Sequence, residues 1–110
     1  MATDLDSVFT ALADPTRRGI VDLLRERPRR AGEIAAQFDS ASPTISRHLR
    51  VLRTSGLIEE TADVADARAR VYRLRAAPFA DLGAWVDQVQ AYWRDTLADF
   101  ADYVKEQETK

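Results

Sequence analysis

The stretch Ala31-Gly-Glu-Ile-Ala-Ala-Gln-Phe-Asp-Ser-Ala-Ser-Pro-Thr-Ile-Ser-Arg-His-Leu-Arg-Val-Leu-Arg-Thr-Ser-Gly-Leu-Ile58 decides the fold. Ile34, Ala35 and Phe38 share one side of a short helix over about Ala31–Phe38. Asp39-Ser40-Ala41 makes a tight break. A second helix follows from about Ser42 to Ser55 and stops at Gly56, the residue type that most easily adopts the left-handed conformation past a helix end. At 3.6 residues per turn, Ile45, Leu49 and Leu52 fall on one side of it. Arg47, Arg50 and Thr54 fall opposite, flanked by Thr44, Ser46 and Val51. A helix divided this way is anchored by its greasy face and offers guanidinium and hydroxyl groups outward.

Outward from this pair, the period changes. Leu57-Ile-Glu-Glu-Thr61 and Arg70-Val-Tyr-Arg-Leu74 alternate and lean to β, with Asp63 to Ala69 between them, which predicts a two-stranded hairpin with a loose tip. On the N-terminal side, Leu5, Val8, Phe9 and Leu12 recur at helical spacing, with Thr3 placed to cap the start. Asp14-Pro15 opens another helix, a capping acid before a proline at the first helical position; it turns Ile20, Leu23 and Leu24 inward and ends near Arg27-Pro28. From Pro78 the helical period resumes and holds to about Glu106. The expected fold is mainly α with a small β-hairpin, a winged helix-turn-helix with a long C-terminal helix. It forms a single domain over 1–110, with dimerisation helices at 1–13 and 78–107, the helix-turn-helix at 31–55 and the wing at 57–75.

The last helix predicts a partner by its length. Pro78 to Glu106 is 29 residues, roughly 43 Å at 1.5 Å per residue. A body of about 75 residues is only about 30 Å across, so the helix overhangs it. Phe79, Leu82, Trp85, Val86, Val89, Tyr92, Trp93, Thr96, Leu97, Phe100, Tyr103 and Val104 lie within an arc of about 140°, with the acids outside it. An apolar stripe this wide, running past its own domain, calls for a second chain, with Leu5 and Phe9 of the first helix beside Trp85, Val89, Trp93, Leu97 and Phe100.

In 110 residues, 16 Lys+Arg and 18 Asp+Glu leave a net charge of −2. The average hides a partition: residues 1–16 carry −3, residues 17–75 carry +5 and residues 76–110 carry −4. All thirteen bases of the middle segment are arginine, the side chain suited to forked contacts with phosphate and guanine. A basic centre between acidic ends points to one surface that faces a polyanion. The competing reading is a solvated arginine-rich face. There is no Cys, which excludes disulfides, thiolate metal sites and cysteine nucleophiles. No apolar run is long enough for a membrane span, and Met1-Ala-Thr-Asp-Leu-Asp-Ser7 has no signal-peptide character. The sequence therefore predicts a cytoplasmic, nucleoid-associated protein without a membrane partner.

Phe9-Thr-Ala-Leu-Ala-Asp-Pro-Thr-Arg-Arg18, Ala31-Gly-Glu-Ile-Ala35 and Pro43-Thr-Ile-Ser-Arg-His-Leu-Arg-Val-Leu-Arg53 with Ser55-Gly-Leu-Ile58, in this order, resemble the ArsR family of bacterial repressors over roughly Val8 to Leu74. The long acidic helix with its aromatics looks like the non-metal branch that includes the sporulation-delay autorepressors. This resemblance implies a homodimeric winged-helix transcriptional regulator, usually a repressor of its own operon. It implies that Ser42, Thr44, Ser46, Arg47 and His48, with Arg50 on the same outward face, read bases and phosphates of double-stranded DNA. Arg68 and Arg70 would be the wing's contacts. Two-fold pairing implies a palindromic operator with half-sites roughly 34–36 Å apart.

The sequence departs from the family pattern in two places. The family usually has a hydroxyl residue where Ala41 stands and a bulky apolar one where Ser40 stands; Ser42 ahead of Pro43 takes over as cap, or Ser40 does. Asp63 and Asp66 stand at the wing tip, where they would repel phosphate. Metal-sensing members use Cys pairs or His/Asp sets, which zero Cys and one His do not supply. No metal and no cofactor are expected, and no motif identifies a small-molecule effector. His48 reads as a packing or phosphate-contacting residue, and the aromatic stripe as core or interface rather than an effector pocket. Glu59-Glu60 point to opposite faces of a strand, and Asp99 with Asp102 lies on the polar side of a helix. With no phosphate loop either, no enzyme is expected. The alternative to a DNA-binding regulator is a winged-helix adaptor that docks a protein partner.

Overall fold

The computed structural model describes residues 3–109, in the order α1 (Leu5–Leu12), α2 (Pro15–Glu26), α3 (Ala31–Phe38), α4 (Ser42–Thr54), β1 (Ile58–Ala62), β2 (Arg70–Leu74) and α5 (Ala76–Glu108). Each helix start has a local cause. Asp14 accepts the Arg17 N–H at 3.0 Å with Pro15 next to it, as the sequence predicts. The Thr3 cap is not what forms: Asp4 caps α1 by accepting the Asp6 and Ser7 N–H groups, while the Thr3 hydroxyl donates to the Asp81 carboxylate on α5. Glu33 reaches back to accept the Arg30 N–H at 3.1 Å at the start of α3.

Neither Ser42 nor Ser40 caps α4. The cap position is Ala41, with Ser42 the first helical residue, and the Ser40 hydroxyl donates instead to the Phe38 carbonyl at 3.1 Å. A side-chain cap has little left to satisfy. Pro43 has no N–H, and Thr44 and Ile45 both donate to the Ala41 carbonyl, at 3.0 and 3.2 Å. At the other end, Gly56 sits at φ +83°, where a side chain is strained. Its N–H reaches the Arg53 carbonyl and that of Leu57 reaches Leu52, both at 3.0 Å, which closes the helix and turns the chain into the hairpin. Asp39, at φ 48°, makes the break between α3 and α4.

β1 and β2 pair antiparallel with Ile58 opposite Leu74 and Ala62 opposite Arg70. Leu57 lies just before the ladder, so the paired wing is one residue shorter at that end than its sequence pattern. Arg29 joins the far edge of β2 through two backbone hydrogen bonds with Tyr72, at 3.1 and 2.8 Å. The core is Val8, Ala11, Ile20, Leu24, Ile34, Ile45, Leu49, Leu52, Leu57 and Ile58, one residue set shared by α1 to α4 and the hairpin; Leu23 is half-buried against it.

α5 starts at Ala76 rather than Pro78 and ends at Glu108 rather than near 107. Pro78 occupies the third helical position, inside the first turn, where its missing N–H has no intrahelical carbonyl to serve. Phe79 and Leu82 pack on the core, and Pro78 is the one residue of α5 that is fully buried among those described. The 33 residues of α5 span roughly 50 Å at 1.5 Å per residue. Its overhang stretches the chain to 74 × 31 × 24 Å, with a radius of gyration of 20.2 Å. A compact chain of this length would have about 13 Å.

Candidate nucleic-acid interface

Ile45, Leu49 and Leu52 are buried on the core, which fixes the rotation of α4 about its axis. That rotation leaves Ser42, Thr44, Ser46, Arg47 and Arg50 exposed, while His48 lies half-buried at the edge of the packed face. Arg68 and Arg70 are exposed on the hairpin. All the sequence-predicted contact residues therefore lie on α4 or the wing, and every one except His48 is open to solvent.

The middle arginines divide into two groups. Six hold carboxylates: Arg25 on Asp22, Arg27 on Glu33, Arg29 on Glu26, Arg30 on Asp63, Arg53 on Glu60 and Arg75 on Glu59. Arg17 and Arg18 hold carbonyls at the end of α1: Arg17 donates to Ala11 at 2.6 Å and Thr10 at 3.2 Å, Arg18 to Leu12 at 2.8 Å. The last carbonyls of a helix run short of intrahelical N–H partners, and here the guanidiniums take up that capacity, Thr10 also accepting the Ala13 N–H at 3.3 Å. Among the described residues, Arg47, Arg50, Arg68, Arg70 and Arg73 have no such partner. The five unengaged charges of this segment lie on the outer face of α4 and on the wing. Arg73 was not foreseen as a site residue; the strand alternation that turns Tyr72 and Leu74 to the core carried that signal.

Of the two acids at the wing tip, Asp63 is engaged within the chain and Asp66 stays exposed. Asp63 accepts two Arg30 N–H groups, at 2.9 and 2.7 Å, and the Ala65 N–H at 3.0 Å. These bonds, the Ala65 N–H first and the Arg30 guanidinium second, hold its carboxyl below the usual carboxylate range. Asp66 accepts the Arg68 N–H at 3.1 Å. Both acids are turn formers that shape the tip and set Arg68 on its rim, and Asp63 is neutralised by a residue 33 positions away.

The expected second surface is also laid out. Phe9 of α1 meets Trp85 of α5 edge-on, with centroids 5.3 Å apart, and Leu5 is half-buried beside them. Farther along, Val89, Trp93, Leu97 and Phe100 are exposed, the last three at 56%, 64% and 64%. In a single chain nothing covers them. Among the described residues, no group of three or more His, Cys, Asp or Glu side chains is placed to hold a metal ion, and no helix is long and apolar enough to cross a membrane.

Residues 14–60 match the family model of the bacterial regulatory proteins of the ArsR family. The HTH-type transcriptional regulator Rv2034 of Mycobacterium tuberculosis is 34% identical over 99 residues, which cover 90% of this chain and 87% of that protein. The chain belongs to the ArsR family. The transcriptional repressor SdpR of Bacillus subtilis is 43% identical over a shorter stretch, 51% of this chain and 62% of that one. Among solved structures, an ArsR-like transcriptional regulator from Rhodococcus sp. RHA1 superposes with a TM-score of 0.76 at 27% identity, covering 93% of this chain and 91% of that one. The homodimeric winged helix-turn-helix DNA-binding domain of Mb0332 from Mycobacterium bovis superposes with a TM-score of 0.59 at 27% identity, over 84% and 81% of the two chains. The ArsR match spans α2 to β1, the segment that holds α4 and its neighbours; the exposed part of α5 lies outside it.

Proposed function

We propose that this ArsR-family chain is a homodimeric repressor that binds a palindromic operator at its own operon and responds to no metal. The observation that carries the reading is the distribution of unengaged arginines. Of the thirteen middle arginines, those left without a partner lie on the outer face of α4 and on the wing, where a double helix would meet them. In that reading α4 enters a major groove, with Arg47 at the centre of its outward face. Ser42, Thr44, Ser46 and Arg50 contact bases or flanking phosphates, and Arg68, Arg70 and Arg73 hold the backbone from the wing. The stripe from Trp85 to Phe100, with Leu5 and Phe9, forms the dimer interface. The homodimeric state of the Mb0332 domain supports this arrangement, as does the repressor SdpR for the sense of regulation. The absence of Cys and the single His support the lack of a metal response.

A gel shift against the gene's own upstream region tests the proposal. A shift at nanomolar protein that survives competitor DNA supports it, with a two-fold symmetric footprint whose half-sites lie about one helical turn apart. No shift at micromolar protein would point to the adaptor reading instead.

A further inference from the structure

Besides the shared core, the Arg17 side chain of α2 links α1, expected in the dimer interface, to α4, the helix expected in DNA. The Arg17 guanidinium holds the Ala11 and Thr10 carbonyls at the end of α1 through Nε and one terminal nitrogen. Its other terminal nitrogen lies 3.3 Å from Nδ1 of His48 on α4. A guanidinium is a planar fork with fixed angles between its donors, so seating two arms on α1 fixes the direction of the third. The backbone that carries the fork is anchored as well, because the Arg17 N–H donates to Asp14 at the start of α2. Arg18, its neighbour, also holds an α1 carbonyl but has no bond to α4 among the described residues.

The chemistry of the contact determines the state of the imidazole. Arginine has only donors and does not lose its proton, so Nδ1 of His48 has to accept. A ring nitrogen that accepts is bare, which places the ring proton on Nε2. We propose that Arg17 is a positioning residue for operator recognition: it couples α1 to α4 and fixes His48 as the tautomer that carries its proton on Nε2. This rests on the DNA-binding reading above. His48 is half-buried next to the exposed Arg47, so a defined donor at Nε2 and a fixed ring are features the operator can read. Without Arg17, the ring is free to exchange its proton between the two nitrogens and the hydrogen-bonded link from α1 to α4 is lost, while the shared core of the two helices remains.

The chain's single histidine gives the test an unambiguous probe. In long-range nitrogen–proton NMR spectra of the uniformly labelled, DNA-free protein above neutral pH, wild type is expected to show Nδ1 bare and Nε2 protonated. Arg17→Ala is expected to show the averaged signature of two exchanging tautomers, and Arg18→Ala to keep the wild-type pattern. Operator titrations then separate positioning from general damage. Arg17→Ala weakens binding about tenfold, the scale of one hydrogen bond from a charged group. The same substitution in a His48→Ala background weakens it by threefold or less, because its partner is already gone. Arg17→Lys, which keeps the charge without the fork, does not restore the wild-type tautomer. Overturning results are a wild-type imidazole protonated on Nδ1, a tautomer indifferent to Arg17→Ala, or the same loss of binding in both backgrounds. The spectra need no DNA, so a wild-type protein that binds no operator defeats the DNA-binding reading while the tautomer assignment stands or falls separately.

Discussion

Replacing Trp93 and Phe100 together with Asp should dissociate the dimer while leaving each chain folded. In the single chain these rings are 56% and 64% exposed, so they contribute little to the chain's own core. Covering the exposed part of a large apolar side chain is worth that fraction of roughly 1.5–3 kcal/mol. A two-fold interface covers four such rings, which amounts to about 4–7 kcal/mol, or roughly three to five decades in the dimer constant. The four carboxylates introduced would add their own desolvation cost. Sedimentation at micromolar protein should show wild-type dimers and monomers for the double variant. Circular dichroism should show unchanged helix content in the body of the domain, because its core lies elsewhere, and operator binding should be lost. A folded double variant that sediments as a dimer at the same concentration would refute the α5 interface.

Three further outcomes follow from local geometry and chemistry. Gly19→Ala should destabilise the fold by about 1 kcal/mol in chemical denaturation, since a Cβ there would stand 2.7 Å from Phe38 Cε1; overpacking of about 1–3 kcal/mol exceeds the roughly 1 kcal/mol gained in helix propensity, and a more stable variant would disprove the close α2–α3 contact. Asp4, Asp14, Glu33 and Asp63 all have pKa values lowered by hydrogen bonds, the first from Ser7, the others from backbone N–H groups. Because a depressed carboxylate stabilises the fold above its unfolded pKa, thermal stability should be level near neutral pH and fall as pH drops below about 4; a loss of stability beginning near pH 7 would contradict this. Addition or chelation of Zn²⁺, Ni²⁺ or Cd²⁺ should leave operator affinity unchanged, and a tenfold shift would overturn the metal-independent reading.

The order of the helices and the hairpin was legible in the sequence because each element is announced by local signals. Asp14-Pro15, Gly56 and the buried face of α4 act within a few residues, and the long stripe of α5 needs only its period. The caps of α1 and α4 were misassigned for the same kind of reason: several short polar residues compete at each start, and backbone geometry picks among them. What the sequence hid was pairing between distant residues. That Asp63 is occupied by Arg30, that Arg53 is held by Glu60 and that Arg17 reaches His48 depend on how α2, α3, α4 and the wing pack. Net charge counts these arginines equally, whereas the fold engages some and leaves Arg47, Arg50, Arg68, Arg70 and Arg73 for a partner. Arg73 was readable from the strand alternation that turns Tyr72 and Leu74 to the core, whereas the Arg17 contact joins residues 31 positions apart and has no local signal.

The salt dependence of operator binding tests that division most directly. Each neutralised phosphate contributes about 0.9 to the slope of log affinity against log salt, so ten free arginines in a dimer set an upper limit near −9. Arg47→Ala removes two contacts per dimer. If both are to phosphate, the slope should fall by about 1.8, a roughly twelvefold smaller loss of affinity between 50 and 200 mM salt. If they are to guanine, the variant should instead lose about 1–3 kcal/mol of discrimination at symmetric positions. Arg53→Ala, whose guanidinium is held by Glu60, should keep both the slope and the sequence preference of wild type. Indistinguishable behaviour of the two variants, whether both changed or both unchanged, would contradict the claim that the unengaged arginines form the DNA-binding surface.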